Sequence, residues 1–500
     1  MNEKMEKLKL RLAEVADLRA ASALLNWDQL VNMPEGAAED RGEQIATIER
    51  IIHIKSTSDE IGQLLEDLEN DVRHLDADSD EARLWKVTKR EFDKAAKVPA
   101  EFVQKFARVS TVAQSVWEKA KLRSDFKSFQ PYLEQLIDLR RQYADFFTPW
   151  QHVYDPLLDD FEPGMKTVEV QEIFNKLRPK QVELIKAIAE KPRLDKSFLM
   201  LEYPVSGQRK FGEMVITQFG YDWKHGRQDE SAHPFTTGFG LNDVRITTRF
   251  KKDFLPSAMF STMHECGHAL YELGIDKKYN RSPLGDGASM AVHESQSRMW
   301  ENLIGRSRPF WNHFFPKLKE IFPSQLGNVD VDTFYKAINA VEPSFIRVEA
   351  DEATYNLHIM LRLEMEIAFM EGSLQAKDAP EVWNEKFEEY LGITPPKDEV
   401  GILQDVHCSF GGFGYFPTYA LGNLVAAQIW ETMAADLPDI ENLVEQAKFE
   451  DILKWLREHL HKYGAKFEPQ ELVQKVTGSK ITPEPYMRYL EGKFKDIYNL

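Results

Sequence analysis

Two histidines four residues apart are the side chains in this sequence best suited to chemistry. They lie in the stretch His264-Glu265-Cys266-Gly267-His268. On an α-helix, residues four apart share a face, so His264 and His268 can bind one metal ion, and this geometry suits zinc. Glu265 is offset by about 100° and can take a proton from metal-activated water without binding the ion. The stretch therefore predicts a metal-dependent hydrolase.

The same stretch has a second, apolar face. Apolar side chains recur at alternating spacings of four and three residues through this part of the chain. This stripe predicts a helix whose other side packs against the core. Its members are Met259, Met263, Cys266, Leu270 and Leu273.

A third metal ligand is expected elsewhere, because catalytic zinc usually has three protein ligands and leaves its fourth position to water. After the turn-rich segment 280–287, a second helix is predicted over residues 288–305. Glu294 in this helix is the best candidate, since a separation of 26 residues (294 − 268) fits a helix, a loop and a return helix packed alongside. Its competitors are His293, Glu272 and Glu301.

Composition narrows the class of protein. The 500 residues are 43% hydrophobic, which is enough to bury the core of one large domain or of two to three ordinary ones. Lys and Arg number 63 against 81 Asp and Glu, a net charge of −18 that argues against nucleic acid and anionic membranes as partners. Only Cys266 and Cys408 are present, and neither a signal peptide nor a membrane span is recognisable. We expect a cytoplasmic protein.

Most of the chain has the apolar periodicity of helices. One helix is predicted to end near 27–29 and a second to begin near 44, and residues 59–146 form a helical array with breaks near 78–79 and 98–99. The N-terminal part, residues 1–146, is predicted either as a scaffold or as a lid over a cleft. Further helices are predicted over 168–177 and 181–190, on either side of Pro179, and over 197–224, 310–322, 331–340, 356–371, 380–391 and most of 422–500.

The segment 243–249 is the one convincing strand signal. Its sequence, DVRITTR, alternates in polarity as a short strand does. Such a strand, placed just before the metal-binding helix, would offer an exposed edge to an extended peptide through backbone pairing. The alternative is an ordinary small hairpin.

Arg347 and Asp351 are four residues apart. One interpretation is an ion pair on the surface of the protein. The other is a guanidinium reserved for a substrate carboxylate, which arginine binds well because its planar fork matches two oxygens.

Residues 401–419 combine glycines with aromatic residues and a proline, which predicts a structured loop rather than a flexible linker. Within it, Tyr415 or Tyr419 either donates a phenolic hydrogen bond to an oxyanion or packs in the core. His407 is interpreted more readily as a core histidine than as a catalytic one.

Taken together, these stretches give the chain a resemblance to the carboxypeptidase Taq family of thermostable metallocarboxypeptidases over nearly its full length. Several motifs in one order are more specific than the zinc motif alone. They are WDQ at 27–29, MPEG at 33–36, HPF at 233–235, DVRIT at 243–247, HECGH at 264–268, HESQSR at 293–298, IRVEAD at 346–351, GILQDVH at 401–407 and FGYFPTY at 413–419.

The resemblance implies a mainly α fold, a large helical peptidase with a deep cleft and a small β-sheet beside the metal site, similar to neurolysin-like peptidases. It implies a homodimer. We interpret residues 1–500 as one metallocarboxypeptidase domain with its catalytic core at 197–425.

By position, the resemblance implies His264, His268 and Glu294 as ligands of one divalent ion, zinc or alternatively cobalt, and Glu265 as the general base. One departure is visible: Cys408 stands where the family is expected to have tryptophan, which bears on the packing of the loop and on the shape of the pocket for the terminal residue but involves no expected ligand. The candidate substrate-binding residues are Arg347, Tyr419, Tyr415, His233, Arg245 and His407.

The predicted reaction removes C-terminal amino acids from peptides that have a free C-terminus. Glu265 would act as the base, a tyrosine or His233 would stabilise the oxyanion, and Arg347 is the first choice for the terminal carboxylate. An endopeptidase or oligopeptidase would use the same ligands and base without a carboxylate receptor. A helical binding protein with a vestigial metal site is the remaining alternative.

Overall fold

The computed structural model describes residues 2–500. Its N-terminal part is a series of helices joined by short turns, and the breaks predicted near 78–79 and 98–99 both separate two helices. Ser58 and Ser79 cap two of them by accepting hydrogen bonds from backbone amides three residues ahead. The helices are α1 (Asn2–Val31), α2 (Ala38–Ser56), α3 (Asp59–Val72), α4 (Asp80–Lys97), α5 (Ala100–Arg123) and α6 (Phe126–Asp145).

The middle of the chain contains three helices followed by a small sheet. The prediction of two helices around Pro179 is wrong, because one helix runs through it. Ile173, Leu177, Leu184 and Ile188 are buried on both sides of the proline, so an uninterrupted helix keeps one apolar stripe in the core. The elements are α7 (Asp155–Leu158), α8 (Thr167–Ala189), α9 (Val205–Phe219), β1 (Gln228–Glu230), β2 (Thr236–Gly238) and β3 (Val244–Thr248).

The sheet has the order β1-β3-β2, with β3 parallel to β1 and antiparallel to β2. The predicted strand at 243–249 is β3, which lies in the centre of this sheet. The prediction that it offers an exposed edge to a peptide is therefore wrong, since both of its edges are already paired. Its antiparallel pairing with β2 matches the alternative of a small hairpin.

The two histidines lie on the next helix, and the rest of the chain is again mainly helical. Tyr419 lies in a helix and not in the predicted loop, because Pro417 occupies the first turn of that helix, where it costs no hydrogen bond. The helices are α10 (Leu255–Gly274), α11 (Met290–Arg298), α12 (Arg308–Ile321), α13 (Pro323–Leu326), α14 (Val331–Ile338), α15 (Tyr355–Glu371), α16 (Ala379–Leu391), α17 (Phe416–Asp436), α18 (Ile440–Glu445), α19 (Phe449–His459), α20 (Pro469–Thr477) and α21 (Glu484–Tyr498).

Buried side chains form one large hydrophobic core that extends from α5 to α21 and a smaller one in which α1, α3 and α4 pack with Leu241, Ile275, Tyr279 and Leu284. The stripe predicted on α10 is part of the large core: Met259, Met263, Cys266 and Leu270 are buried, and Leu273 is partly buried against it. This burial turns the histidine face of α10 away from the core. Within residues 2–500, no helix is both long and apolar enough to cross a membrane.

Candidate metal centre and active site

The site is built where α11 crosses α10. Gly267 permits the crossing, since a Cβ atom at this position would lie 2.6 Å from the carbonyl oxygen of Gln296. The backbones of the two helices therefore approach more closely than any larger residue would allow. Glu294 on α11 then lies opposite His264 and His268 on α10.

Three side chains converge on one point. Oε2 of Glu294 lies 3.5 Å from Nε2 of His264 and 3.4 Å from Nε2 of His268. Donor atoms of the three residues all lie within 4.8 Å of one another. Two imidazoles and a carboxylate form a donor set that suits zinc and several other divalent ions. The residues therefore fit a metal ion.

The three competitors for the third position lie around this cluster. Nδ1 of His293 lies 2.6 Å from Nδ1 of His268, not near its Nε2. Glu301 meets Nδ1 of His264 at 2.9 Å, and Glu272 lies beyond His293. His293 and Glu301 thus lie at the Nδ1 atoms of His268 and His264, whereas Glu294 lies at their Nε2 atoms.

Arg298 orients the carboxylate of Glu294. Its Nε donates to Oε1 of Glu294 at 2.7 Å and its Nη1 donates to Oε2 of Glu301 at 3.1 Å. Arg298 is therefore hydrogen-bonded to Oε1 of Glu294, while Oε2 of the same carboxylate points towards the two histidines. Burial opposes ionisation of Glu301, but Arg298 and His264 lower the pKa of its carboxyl to about 2.

The protonation states of His268 and Glu294 suit a metal site, whereas the nearby carboxylates of Glu294 and Glu301 raise the pKa of His264 despite its burial. Burial lowers the pKa of His268 to about 3, so its imidazole is neutral and keeps a lone pair for a metal ion. Burial alone would raise the pKa of Glu294, but Arg298 and His264 hold it well below its usual range. The carboxylate of Glu294 is therefore charged.

Glu265 is buried beside the cluster, and burial raises the pKa of its carboxyl. The hydroxyl of Thr236 in β2 lies 2.7 Å from Oε2 of Glu265 and 2.9 Å from its carbonyl oxygen. Thr236 was not predicted as a site residue. A strand of three residues is too short to give an alternating pattern, so the sequence contained no signal for it.

Arg347 is buried and does not form the surface ion pair with Asp351 that was one interpretation of their spacing. Its Nε and Nη2 lie 3.0 and 2.9 Å from Oδ1 of Asp405. Arg362 binds the other oxygen of Asp405, at 2.7 Å through its Nε. Two guanidinium groups thus share one carboxylate, which leaves one positive charge uncompensated in the interior. Asp405 and Arg362 were not predicted as site residues, because partners this far apart in sequence leave no local pattern.

Tyr415 and Tyr419 lie next to each other, with ring centroids 5.1 Å apart. Burial, and also the charge of Glu294, raises the pKa of each phenol, so both hydroxyls stay protonated as donors near the carboxylate of Glu294. The guanidinium of Arg347 lies 5.1 Å from the centre of the Tyr419 ring. His407 packs 4.5 Å from the ring of Phe416, and burial lowers its pKa to about 4, as expected for a neutral core histidine.

In the part of the chain that the structure describes, the remaining two candidates form no hydrogen bond or ion pair with His264, His268 or Glu294. His233 is exposed in the loop before β2. Arg245 in β3 binds both oxygens of Asp243, at 2.9 and 2.8 Å. Its guanidinium also lies 4.6 Å from the ring centre of Trp27 in α1 and 4.8 Å from that of Phe239. Arg245 therefore joins the N-terminal helix to the sheet.

The N-terminal helices also support the loop that leads to the tyrosines. In α5, Nε1 of Trp117 donates to the carbonyl of Leu403 at 3.0 Å, and Nζ of Lys121 donates to that of Gln404 at 2.7 Å. Cys408 lies in the one-turn helix that follows and is partly buried against the large core. The loop is thus ordered with cysteine at this position.

A cavity of about 570 Å³ is lined on one side by α1, α4 and the last residue of α2. The loop between β2 and β3 and residues 280–286 form its other walls, and Glu272 lies in its lining. The prediction that residues 1–146 cover a cleft stays a prediction, but three of their helices, α1, α2 and α4, do line this cavity.

The sequence of this chain is similar to those of known metallocarboxypeptidases over nearly its whole length. The family described as Carboxypeptidase Taq (M32) metallopeptidase matches residues 7–494. Thermostable carboxypeptidase 1 of Thermus thermophilus is 41% identical over 495 residues, which cover 97% of each chain. Carboxypeptidase 1 of Bacillus subtilis is 39% identical over 490 residues, 98% of this chain and 97% of the relative.

Solved structures agree with the sequence comparison. The M32 carboxypeptidase of Deinococcus radiodurans superposes with a TM-score of 0.97 at 39% identity over 100% of both chains. A Pyrococcus furiosus carboxypeptidase structure described as Apo-Mg superposes with a TM-score of 0.96 at 36% identity over 99% of both chains. These neighbours have the same mainly helical fold with a small sheet, as the sequence predicted.

Proposed function

Because the chain belongs to the Carboxypeptidase Taq (M32) metallopeptidase family, we propose that His264, His268 and Glu294 bind its catalytic ion. The protein is a metal-dependent carboxypeptidase that removes C-terminal amino acids from peptides, as the sequence predicted. The observation that carries the assignment of the site is the convergence of two Nε2 atoms on Oε2 of Glu294, at 3.5 and 3.4 Å.

Glu265 is the general base in this proposal. When bound, the ion supplies a Lewis acid that lowers the pKa of water and polarises the scissile carbonyl. Glu265 accepts the proton of the attacking water, and burial suits this role because it raises the pKa of the carboxyl towards that of the water. Glu265 then returns the proton to the leaving amine. Tyr415 or Tyr419 donates a hydrogen bond to the developing oxyanion.

Arg347 is proposed as the receptor for the terminal carboxylate. The Arg347–Asp405–Arg362 cluster has one positive charge in excess, and Tyr419 lies over the guanidinium of Arg347. A peptide carboxylate beside this cluster would compensate that charge. Substrate contacts of His233, Arg245 and His407 stay predictions, and the pairing of Arg245 with Asp243 makes it the weaker of the two arginine candidates.

The experiment that tests this function compares a peptide with its C-terminal amide by timed mass spectrometry, using metal-loaded protein. We expect stepwise loss of residues from the free peptide only. Glu265→Gln should lower kcat by about 10²- to 10⁴-fold, the usual contribution of general base catalysis, without loss of the metal. Internal cleavage of both peptides would instead indicate an endopeptidase.

The arginine assignment has its own test. Arg347→Met should lower kcat/KM for the free peptide by about 10- to 100-fold, the loss of a charge-assisted pair of hydrogen bonds. Arg488→Met is the matched control, because Arg488 is exposed and pairs with Glu431 instead of with a residue of the site. If Arg245→Met has the larger effect, Arg245 is the receptor.

We further propose zinc as the working ion, with cobalt as the alternative, because histidine and carboxylate ligands accept both. Metal analysis of protein purified without added metal, followed by reconstitution with each ion, decides between them. We also propose that the enzyme is a cytoplasmic homodimer. The unpaired state of Cys266 and Cys408 agrees with a reducing compartment, and sedimentation measures the oligomeric state.

A further inference from the structure

The two metal-binding histidines have different partners on their outer sides. Nδ1 of His264 lies 2.9 Å from a carboxylate oxygen of Glu301. Nδ1 of His268 lies instead 2.6 Å from Nδ1 of another imidazole, that of His293. Nε2 of His293 in turn lies 3.3 Å from Oε1 of Glu272. His268 therefore reaches a carboxylate only through a second histidine.

The direction of the hydrogen bonds in this chain follows from metal binding. His268 offers Nε2 towards Glu294, so its own proton must be on Nδ1. That proton is donated to Nδ1 of His293, which must then be an acceptor. The proton of His293 is consequently on Nε2, where it faces the carboxylate of Glu272. A single arrangement of protons satisfies all three side chains.

We propose that His293 and Glu272 are positioning residues that hold His268 in the tautomer and orientation required for metal binding. This inference rests on the proposed function, because it assumes that His268 binds the ion through Nε2. His293 acts through His268, and Glu272 acts through His293. Partners of this kind fix the ring of a ligand and strengthen it as a donor.

The surroundings hold the ring of His293 in place. The ring of Tyr271 in α10 lies 5.1 Å away, at an angle of 72°. On another side, a Cβ atom at Gly287 would lie 2.8 Å from Cδ2 of His293. His293 is therefore confined between a helix and a backbone segment and can serve as a fixed acceptor.

Glu272 is held against the sheet. A Cβ atom at Gly238 in β2 would lie 2.3 Å from Oε2 of Glu272. Alanine at this position would displace the flexible end of Glu272, because the three heavy atoms nearest to the added Cβ belong to Glu272 and Val244. The variant Gly238→Ala would thus disturb the hydrogen-bonded chain of His268, His293 and Glu272 without replacing any of its members.

The test measures metal affinity of the purified protein by competition with a chelator, together with the absorption spectrum of the Co²⁺-loaded protein. His293→Phe keeps a ring of similar size but removes the acceptor, and it should weaken metal affinity by about 10- to 100-fold, as loss of such partners does elsewhere. Its cobalt bands should shift, because His268 is no longer fixed. Glu272→Leu should weaken affinity by about tenfold, the lower end of that range.

Two variants separate positioning from general destabilisation. Glu272→Gln keeps an oxygen that accepts from His293, so metal affinity should stay within about threefold of the wild type, well below the tenfold loss expected when a partner is removed. Gly238→Ala should behave like Glu272→Leu. His225→Phe is the control, because the side chain of His225 is 44% exposed and pairs with Asp222 at 2.8 Å, so affinity and spectrum should not change.

The outcomes distinguish this inference from the function on which it rests. Suppose that a folded His293→Phe or Gly238→Ala protein has wild-type metal affinity and an unchanged cobalt spectrum. The inference that His293 and Glu272 position His268 would then be wrong, even if His264→Ala and Glu294→Ala lose the ion. If His264→Ala and Glu294→Ala themselves retain wild-type affinity, the proposed metal site is wrong. Folding of every variant is checked by circular dichroism and thermal unfolding.

Discussion

The hydroxyl of Thr236 lies 2.7 Å from a carboxylate oxygen of Glu265, so the small sheet is hydrogen-bonded directly to the side chain proposed as general base. Thr236 is in β2, an edge strand, while Glu265 is in α10. In the proposed active site, the sheet therefore has a role other than pairing with a peptide. It fixes the direction in which the carboxylate points.

Replacement of Thr236 tests this role. Thr236→Val keeps the shape of the side chain but removes the hydroxyl, and loss of one such hydrogen bond, about 1.5 kcal/mol, should lower kcat about tenfold. Thr236→Ser keeps the hydroxyl and should retain most of the activity. Steady-state kinetics with one peptide and thermal unfolding measure both effects. Equal activity of the two variants would show that the hydrogen bond does not matter.

Arg298 lies between two buried carboxylates, and its loss should affect stability as well as metal binding. Arg298→Met leaves Glu294 and Glu301 without their common partner, and breaking a buried pair typically costs about 3–5 kcal/mol of the free energy of unfolding. Denaturant unfolding of the metal-free protein measures this loss. Part of it should be recovered when a divalent ion is added, because the ion compensates the charge of Glu294.

An exposed pair provides the comparison. The side chain of Arg488 is 62% exposed and binds Glu431 at 2.7 Å, so Arg488→Met should change the free energy of unfolding by less than about 1 kcal/mol. Similar losses in the two variants would mean that Arg298 does not act as a buried partner.

The features that the sequence predicted well are those set by local spacing. The separation of His264 and His268 places both on one face of α10, and the apolar stripe from Met259 to Leu270 fixes which face is buried. The distance along the chain to Glu294 was also informative, because a return helix needs a loop of limited length. The helical breaks at Ser79 and Pro99 were visible for the same local reason.

The features that could not be predicted from the sequence depend on residues that are far apart along the chain. The pairing of Arg347 with Asp405, 58 residues away, depends on how the chain folds back, and the spacing of Arg347 and Asp351 suggested a different partner. Strands β1 and β2 have three residues each, so neither shows a pattern. Pro179 indicated a helix end because a proline inside a helix removes a backbone hydrogen bond. The burial of the apolar stripe on both sides of Pro179 offsets this loss, but it depends on tertiary packing.

Trp27 and Arg245 connect the N-terminal helix to the sheet, which leads to a prediction about stability. Trp27 is buried in α1, and the guanidinium of Arg245 lies 4.6 Å from its ring centre. Trp27→Ala should lower the free energy of unfolding by about 3–5 kcal/mol, as is usual for a buried tryptophan. Limited proteolysis should then cut first within α1 or α2.

Trp27→Phe is the conservative variant, because it keeps an aromatic face for the cation. It should lose less stability than Trp27→Ala and should not gain proteolytic sites. A Trp27→Ala protein with wild-type stability and the same proteolytic pattern would contradict this view of the contact.

Glu366 provides a prediction about pH. Its carboxyl is buried in α15, where Oε2 accepts hydrogen bonds from the hydroxyl of Tyr154 at 2.6 Å and the amide of Gly414 at 2.9 Å. Among the described residues, its Oε1 has no hydrogen-bond partner. Burial raises the pKa of this carboxyl to about 7, although Arg140 and Arg362 act in the opposite direction.

The sign of the resulting pH dependence follows from the raised pKa. The folded chain keeps the proton of Glu366 up to about pH 7, whereas the unfolded chain releases it near pH 4.5, so stability is lost as the pH rises between these values. The loss attributable to Glu366 is roughly 3 kcal/mol, at 1.36 kcal/mol for each unit of pKa. Glu366→Gln cannot ionise and still accepts from Gly414, so its free energy of unfolding should fall less steeply between pH 4.5 and 7. Denaturant unfolding at several pH values measures both curves, and parallel curves would show that Glu366 ionises in the folded protein as readily as in the unfolded chain.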